Sequence, residues 1–352
     1  MFSLLQFVVG LGCLVLGARW LIAGATAIAS RWGVSSLVIG LTVVAFGTSA
    51  PELAVSVKAA MAGQAAVGLG NVVGSNIFNV LFILGLTALI VPLVVTHQLI
   101  RFDVPVMILV SGVVWWLARD GQFSRVEGGL LLAGLAAYLS YLFYFSRRTD
   151  SELALPIDTS QHSPYWRDLG ILLLGLLLLV VGSRWLLESV VTFARLLGVS
   201  ELMIGLTVVA AGTSLPEVVT SITAALKGQR DIAVGNVVGS NIFNLLGVLG
   251  LSSLVSPVGL EAPLSFFQVD VPVMCLVAAL CLPIFFTHGV VDRFEGGLLL
   301  LGYGAYTSYL VMAAVNHPWL HLLGDAVFLL LLPVGLFIVG QVVQQLQAPE
   351  QR

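Results

Sequence analysis

Two glutamates stand inside apolar sequence at matching places in the chain. Glu52 closes the string "GTSAPE" and Glu217 closes the string "GTSLPE". An unpaired charge in the middle of a membrane span costs roughly 2.5 kcal/mol or more, so such a residue indicates a function by default. The alternative is a structural carboxylate paired with an arginine such as Arg19 or Arg184. We expect Glu52 and Glu217 to be the only deep carboxylates and interpret them as cation ligands.

Helical spacing places small, oxygen-bearing residues on the same face as each acid. The residues of this face recur at intervals of four and three, once in each half: Ala45, Ser49, Glu52 and Ser56, then Ala210, Ser214, Glu217 and Ser221. Each stripe surrounds its carboxylate with oxygen atoms, which is the environment a cation needs.

A proline precedes each glutamate. Because proline cannot donate to the carbonyl four residues earlier, Pro51 and Pro216 should bend their helices. The carbonyls so freed are those of Gly47 and Gly212, next to Thr48 and Thr213. Irregular backbone at membrane depth is tolerated where it is buried or lines a cavity, although a proline kink can also serve helix packing alone. Two bends at matching positions favour a binding site.

The string "GNVVGSNIFN" occurs at Gly70–Asn79 and again, letter for letter, at Gly235–Asn244. On a helix its polar residues form one stripe per copy: Asn71, Ser75 and Asn79, then Asn236, Ser240 and Asn244. Hydrogen bonding between neighbouring helices would explain one such stripe by itself. Two identical stripes, each accompanied by an acidic stripe, predict a second wall of ligands.

The predicted site contains oxygen ligands and neither histidine nor cysteine, which disfavours zinc, copper and iron. Calcium accepts six to eight oxygens in flexible geometry, whereas magnesium keeps its waters in octahedral order. The crowded oxygens therefore favour calcium. Two carboxylate charges balance one Ca²⁺, two Na⁺ or two protons, so the site suits exchange between competing cations.

The composition is that of a polytopic membrane protein. Hydrophobic residues make up 59% of the 352 positions and charged residues 9%, far from the values of soluble domains. The net charge of -3 is spread along the chain, which argues against a nucleic-acid partner. The first apolar run lacks a basic segment before it, so we expect a retained membrane helix.

Eleven apolar stretches are long enough to cross the bilayer. They lie near 4–25, 36–61, 67–91, 104–118 and 126–146, then near 169–192, 200–226, 232–256, 269–287 and 295–314, and last near 322–343. We predict a first five-helix repeat at 1–146, a cytoplasmic linker loop at 147–168, a second repeat at 169–315 and an extra helix and tail at 316–352. The fold class is an all-α polytopic membrane protein.

The two halves are copies of each other. Besides the strings above, "GARWL" matches "GSRWL", "DVPVM" occurs twice, and "RVEGGLLL" matches "RFEGGLLL". Because each copy has an odd number of spans, the second should cross the membrane in the opposite sense, as in many secondary transporters.

Positive charge in the loops gives the orientation. An external N-terminus would place nine basic residues in the cytoplasm and four outside: Arg31, Arg101, Arg147, Arg148, Arg167, Lys227, Arg230, Arg293 and Arg352, against Lys58, Arg119, Arg125 and Arg195. We expect an integral protein of a prokaryotic cytoplasmic (inner) membrane with its N-terminus outside.

The strings "GTSAPE" and "GTSLPE", each followed by "GNVVGSNIFN", resemble the α-repeats of the sodium/calcium exchanger family, within the cation/calcium antiporter superfamily. The resemblance covers about residues 1–315 and implies alternating access in a ten-helix core, with the first and sixth helices sliding past the rest. It implies no cofactor other than the transported Ca²⁺ and Na⁺. The ligands that it implies are Glu52, Glu217, Thr48, Thr213, Ser49, Ser214, Ser75, Ser240, Asn79 and Asn244, with the carbonyls of Ala45 and Ala210 for sodium.

Two departures from the family pattern bear on function. Asn244 stands where some relatives, including potassium-dependent exchangers, have aspartate, so potassium dependence is not expected. The central loop lacks the large calcium-sensing insert of animal exchangers, so regulation by such a domain is not expected either.

Three other functions stay open. A calcium/proton antiporter of the same superfamily would use the same glutamates to release protons, although the serines beside them favour sodium. An intramembrane aspartyl-type protease also buries two carboxylates, but as aspartates. A passive channel is the third alternative, and the oligomeric state is open as well.

Overall fold

Helices form almost all of the regular structure in the computed structural model, which describes residues 2–153, 164–197, 210–262, 266–286 and 289–314. The first half contains α1 (Phe2–Trp32), α2 (Ser36–Thr48), α3 (Ala50–Met61), α4 (Ala65–Ile90), α5 (Leu99–Asp120) and α6 (Arg125–Leu153). The second contains α7 (Tyr165–Leu196), α8 (Ala210–Thr213), α9 (Leu215–Leu226), α10 (Arg230–Val255), α11 (Phe266–Phe286) and α12 (Arg293–Ala314).

The predicted polytopic helical fold is confirmed. Eight helices of the described chain are long and apolar enough to cross a membrane, or nine if α2 and α3 count as one span bent by 47°. The span predicted near 200–226 is described only from Ala210 onwards, and the eleventh, near 322–343, lies outside the described residues. Within the segment predicted as a linker, α6 continues to Leu153 and α7 begins at Tyr165.

Corresponding helices of the two halves run antiparallel. A Cβ added at Gly17 of α1 would lie 2.8 Å from the carbonyl oxygen of Gly175 in α7, and one added at Gly10 would lie 3.0 Å from that of Gly182. Gly10 corresponds to Gly175 in the repeat and Gly17 to Gly182. These reciprocal contacts require helices of opposite direction related by a two-fold axis, which is the inverted topology expected from the odd number of spans.

The two halves are also joined at their edges. The strand Leu93–Val94 (β1) pairs antiparallel with Val290–Val291 (β4), and Gln122–Phe123 (β2) pairs with Leu260–Glu261 (β3). Each two-stranded ribbon therefore contains one strand from each half.

Helices α4 and α10 occupy the centre of the bundle. The apolar part of α10 is 94% buried inside the protein and that of α4 is 72% buried, whereas that of α12 is 11% buried. Both central helices carry the duplicated string, and both widen into a π-helical turn, at Asn79–Leu84 and Asn244–Val248. Such turns occur frequently at functional sites, and here each begins at the last residue of the string.

Glycine contacts between α6 and α10 give a test of this packing. A Cβ at Gly128 would lie 2.6 Å from the Gly250 carbonyl oxygen, whereas one at its neighbour Gly129 meets no described atom within 4 Å. Gly128→Ala should lower the melting temperature of the purified protein in detergent, because overpacking costs about 1–3 kcal/mol.

Gly129→Ala is the matched control and should leave the melting temperature unchanged or raise it, since alanine is the better helix former. Equal losses in the two variants would contradict the close approach of α6 and α10.

Candidate functional site

The helices that carry the two glutamates are broken just before them. Ser49 (φ −80°, ψ 8°) separates α2 from α3, and Ser214 (φ −89°, ψ 11°) separates α8 from α9. Pro51 and Pro216 lie in the first turn of the following helix, where the missing N–H would have no helical partner. The bends expected from the prolines therefore occur at the serines, and each glutamate lies in the first turn of a new helix.

The two glutamates meet in one site because each is held by the other half of the chain. The Ser214 hydroxyl donates to Glu52 Oε1 at 2.7 Å, and the Ser49 hydroxyl donates to Glu217 Oε1 at 3.0 Å. Both glutamates are 1% exposed.

The alternative of a structural ion pair with an intramembrane arginine finds no support in the described residues. Arg184 pairs with Glu188 at 2.9 Å, and neither Glu52 nor Glu217 has a basic partner in the part of the chain that the structure describes. Nothing positive in that part balances their two charges.

Five oxygens of the predicted ligand residues are buried and accept no hydrogen bond from the described chain. They are Glu52 Oε2, Glu217 Oε2, Asn79 Oδ1, Asn244 Oδ1 and Ser240 Oγ. Buried polar atoms without partners are rare because each costs desolvation energy that nothing returns. Carboxylate and amide oxygens are acceptors, and a hydroxyl oxygen accepts as well. The unsatisfied set can therefore bind a cation.

Residues of the duplicated string form the opposite wall. The Ser214 hydroxyl that contacts Glu52 also lies 3.2 Å from Ser75 Oγ, which joins the acid to α4. Asn79 follows Ser75 by one turn. Its amide nitrogen donates to Asn241 Oδ1 at 2.9 Å, and the nitrogen of Asn244 donates to Asn76 Oδ1 at 3.1 Å. The nitrogens are thus engaged away from the unpartnered oxygens.

The first asparagine of each stripe has a different position. Asn71 Nδ2 donates to Ser56 Oγ at 2.9 Å, and its Oδ1 accepts from Thr213 Oγ1 at 3.2 Å. Asn236 makes the equivalent bonds with Ser221 and Thr48, at 3.0 and 3.1 Å. These asparagines hold the broken helices together, and the hydroxyls of the two threonines are used in doing so.

The backbone near the breaks supplies further oxygens. The Ala45 carbonyl oxygen accepts from Ser49 N at 3.0 Å and also lies 3.3 Å from Thr48 Oγ1, whose one proton is donated to Asn236. Ala210 is the first residue of α8, and the structure describes its backbone alone.

The expectation that the glutamates are the only deep carboxylates is wrong. Asp103 is fully buried and accepts a hydrogen bond from the Tyr138 hydroxyl at 3.0 Å. Asp270 accepts from Tyr306 at 3.2 Å in the equivalent place. Both aspartates belong to the duplicated "DVPVM" string, which was the available signal. They begin an apolar run, where sequence alone cannot show that helices of the same half cover them.

Sequence reasoning also missed Asn76 and Asn241. Both lie inside the duplicated string, one turn after Val72 and Val237, away from the polar stripe. They are 2% exposed and contact each other across the two halves.

The chain resembles known proteins over most of its length. A family described as "Sodium/calcium exchanger protein" matches residues 2–145 and 168–312. The Escherichia coli inner membrane protein YrbG is 39% identical over 277 residues, 77% of this chain and 85% of that protein. The Methanosarcina acetivorans sodium/calcium exchanger MaX1 is 33% identical over 345 residues, 86% of this chain and 97% of that protein.

A solved structure of the sodium-calcium exchanger NCX_Mj, soaked with 2.5 mM Na⁺ and 1 mM Sr²⁺, superposes with a TM-score of 0.75 at 30% identity. The match covers 89% of this chain and 98% of that one. These likenesses identify a transporter rather than an enzyme, which sets the protease alternative aside, and a cation/calcium antiporter that uses no cofactor. Together with the duplicated acidic motifs, they show that the chain belongs to the sodium/calcium exchanger family.

Proposed function

We propose that the protein exchanges Ca²⁺ for Na⁺ across a membrane by alternating access, with the ions bound between the two halves. The observation that carries the proposal is the set of five buried, unpartnered oxygens, two of which belong to carboxylates that lack basic partners in the described chain. Two negative charges match one Ca²⁺ or two Na⁺, so the same oxygens suit either load in turn.

The proposed ligands divide into charged and neutral groups. Glu52 and Glu217 supply the charge. The remaining oxygens come from the side chains of Ser49, Ser214, Ser75, Ser240, Asn79 and Asn244, from Thr48 and Thr213, and from the backbone carbonyls of Ala45 and Ala210. Because the side chains of Thr48 and Thr213 donate to asparagines, these two residues would contribute mainly through their carbonyl oxygens.

The packing of α1 and α7 supports the sliding step of alternating access. Among the described residues, most neighbours of α1 belong to α7, along the glycine contacts at Gly10, Gly17 and Gly24. A pair of helices that packs chiefly on itself can move as one body past the helices of the site. The two repeats, at 1–146 and 169–315, would then provide the two symmetry-related access states.

An inner-membrane location with the N-terminus outside accounts for the loop charges. The end of α1 meets the start of α7, where Arg31 pairs with Asp168 at 3.1 Å and Trp32 stacks on Tyr165. Basic and aromatic residues are typical of membrane boundaries, and YrbG is itself described as an inner membrane protein. This boundary would be the cytoplasmic one.

Calcium flux in proteoliposomes tests the function and its counter-ion. With a protonophore present, an outwardly directed sodium gradient should drive ⁴⁵Ca²⁺ into the vesicles. A calcium/proton antiporter would instead respond to a pH gradient and fail once the protonophore removes it. Calcium flux that needs no counter-ion would indicate a passive channel.

Glu52→Gln and Glu217→Gln should each abolish sodium-driven calcium uptake, because one remaining carboxylate cannot balance a divalent ion in a buried site. Glu188→Gln is the matched control, since this glutamate is partly exposed and pairs with Arg184 on α7. All three proteins should elute as monodisperse species. Near-normal uptake by either site variant would overturn the proposed site.

Ser49→Ala and Ser214→Ala should weaken the sodium dependence of transport more than calcium binding. Sodium carries a single charge and depends more on neutral oxygens than calcium does, whereas both carboxylates stay available for calcium in these variants. The measurement is the sodium concentration for half-maximal exchange beside the calcium KM, with Ser140→Ala on α6 as the control. Equal changes in both quantities would contradict a sodium-specific role.

Wild-type exchange should need no potassium, and Asn244→Asp should make it sensitive to pH or potassium. The substitution puts a third carboxylate beside two others, and one of its oxygens would face Asn76 Oδ1, another acceptor. A proton or an extra monovalent ion relieves both repulsions. Calcium flux over a pH series, with and without potassium, gives the answer. Behaviour identical to wild type throughout would show that Asn244 lies outside the cation site.

A further inference from the structure

Four buried asparagines meet where the two central helices cross. Asn76 and Asn79 come from α4, Asn241 and Asn244 from α10, and every one is at most 2% exposed. Each hydrogen bond in this asparagine ring occurs twice, once for each half. The ring includes two proposed ligands, Asn79 and Asn244, and two further residues, Asn241 and Asn76, whose side chains accept hydrogen bonds from them.

An asparagine ligand has an orientation problem that a carboxylate does not have. The oxygen and the nitrogen of the amide occupy nearly the same space. The oxygen attracts a cation, but the NH₂ group carries only donors and repels it. Whichever group binds the amide from behind therefore decides whether Asn79 and Asn244 can act as ligands at all.

The partners behind these amides are oriented by groups that only accept. Asn241 Nδ2 has the Asn76 carbonyl oxygen at 3.3 Å and the Met107 sulfur at 3.6 Å. A carbonyl oxygen cannot donate and a thioether cannot either, so the nitrogen of Asn241 must face them. Its Oδ1 then points at Asn79, and only the amide nitrogen of Asn79 can donate a hydrogen bond to it, at 2.9 Å.

The same order holds on the other side of the two-fold axis. Asn76 Nδ2 has the Asn241 carbonyl oxygen at 3.3 Å and the Met274 sulfur at 3.7 Å. Its Oδ1 accepts from Asn244 at 3.1 Å. The oxygens left over, Asn79 Oδ1 and Asn244 Oδ1, are the two that have no partner in the described chain. The methionines belong to the two "DVPVM" strings, which gives these duplicated strings a place in the site.

We propose that Asn76 and Asn241 are positioning residues that keep the amide oxygens of Asn244 and Asn79 turned towards the transported cation. The inference rests on the proposed function and names two residues that the family resemblance did not supply. The backbone carbonyls of the central helices fix which way the amides of Asn76 and Asn241 face. These two amides in turn fix the orientation of the Asn244 and Asn79 amides.

Asn241→Leu tests this directly, because leucine has a similar size and no acceptor. Asn79 is then free to present its NH₂ group, and the calcium KM should rise about 10- to 100-fold, as is typical when a group behind a metal ligand is lost. The maximal rate should fall less than the affinity. Asn76→Leu should act in the same way through Asn244.

The same substitution made in a second variant distinguishes a positioning role from a general loss of structure. In Asn79→Asp both outer atoms of the side chain are oxygens, so no orientation has to be selected. Adding Asn241→Leu to this variant also removes an oxygen that would face the new carboxylate. The added substitution should therefore leave the calcium KM of Asn79→Asp unchanged or improve it, whereas a structural role predicts the same loss in both backgrounds.

Asn241→Asp covers the case in which the leucine variant does not fold. An aspartate side chain accepts from the Asn79 amide nitrogen whether it is neutral or ionised, so Asn79 stays oriented and the calcium KM should stay well below the rise of about 10-fold or more expected without an acceptor. A KM equal to wild type in Asn241→Leu, equal losses in both backgrounds, or a rise of about 10-fold or more in Asn241→Asp would overturn the inference. Absence of sodium-driven calcium flux in the wild type would overturn the proposed function itself.

Discussion

The central constraint on this structure is the burial of two carboxylates that have no basic partners in the described chain. Each receives one hydroxyl, from the serine at the helix break of the other half, and each keeps a second oxygen without a partner. The hydroxyls reduce the desolvation cost but bring no positive charge, so the protein interior remains short of one or two cations. The broken helices bring the two carboxylates together, and the central helices α4 and α10 bury the amide oxygens of Asn79 and Asn244 without a partner in the described chain.

Two-fold symmetry follows from this exchange of hydrogen bonds. A half taken alone would leave its glutamate without the serine and its threonine without the asparagine of the other half. Glycines allow the backbones to approach closely enough for these short side chains to reach, at Gly128 on Gly250 and at Gly296 on Gly85. The site therefore lies between the halves, which is where inverted-repeat transporters bind their ions.

Much of the architecture could be predicted from the chain itself. Apolar length located the long membrane helices of the described chain, although α1 and α6 continue to Trp32 and Leu153, beyond the predicted ends. The duplication gave the inverted relation of the halves because an odd number of spans must reverse direction. The separate roles of the polar residues in the site were harder to predict. Asn71 and Asn79 share one stripe and look equivalent in the sequence. In the structure, Asn71 hydrogen-bonds to α3 and to Thr213, whereas Asn79 Oδ1 has no partner in the described chain. Helical spacing predicts which residues share a face of the helix, but it does not predict which neighbouring helix that face contacts.

The sequence alone determined the class of the protein, the duplicated acidic motifs and the hard-cation character of the site, because composition, length and residue chemistry are local properties. Only the tertiary structure decided that Ser49 binds Glu217 and that Ser214 binds Glu52, and that Asp103 is buried against Tyr138. It also decided the role of Asn76 and Asn241, which lie off the polar stripe and gain their partners from the opposite half. Hydrogen-bond direction depends on what faces each amide across the two-fold axis, and the order of residues along one helix contains no information about that.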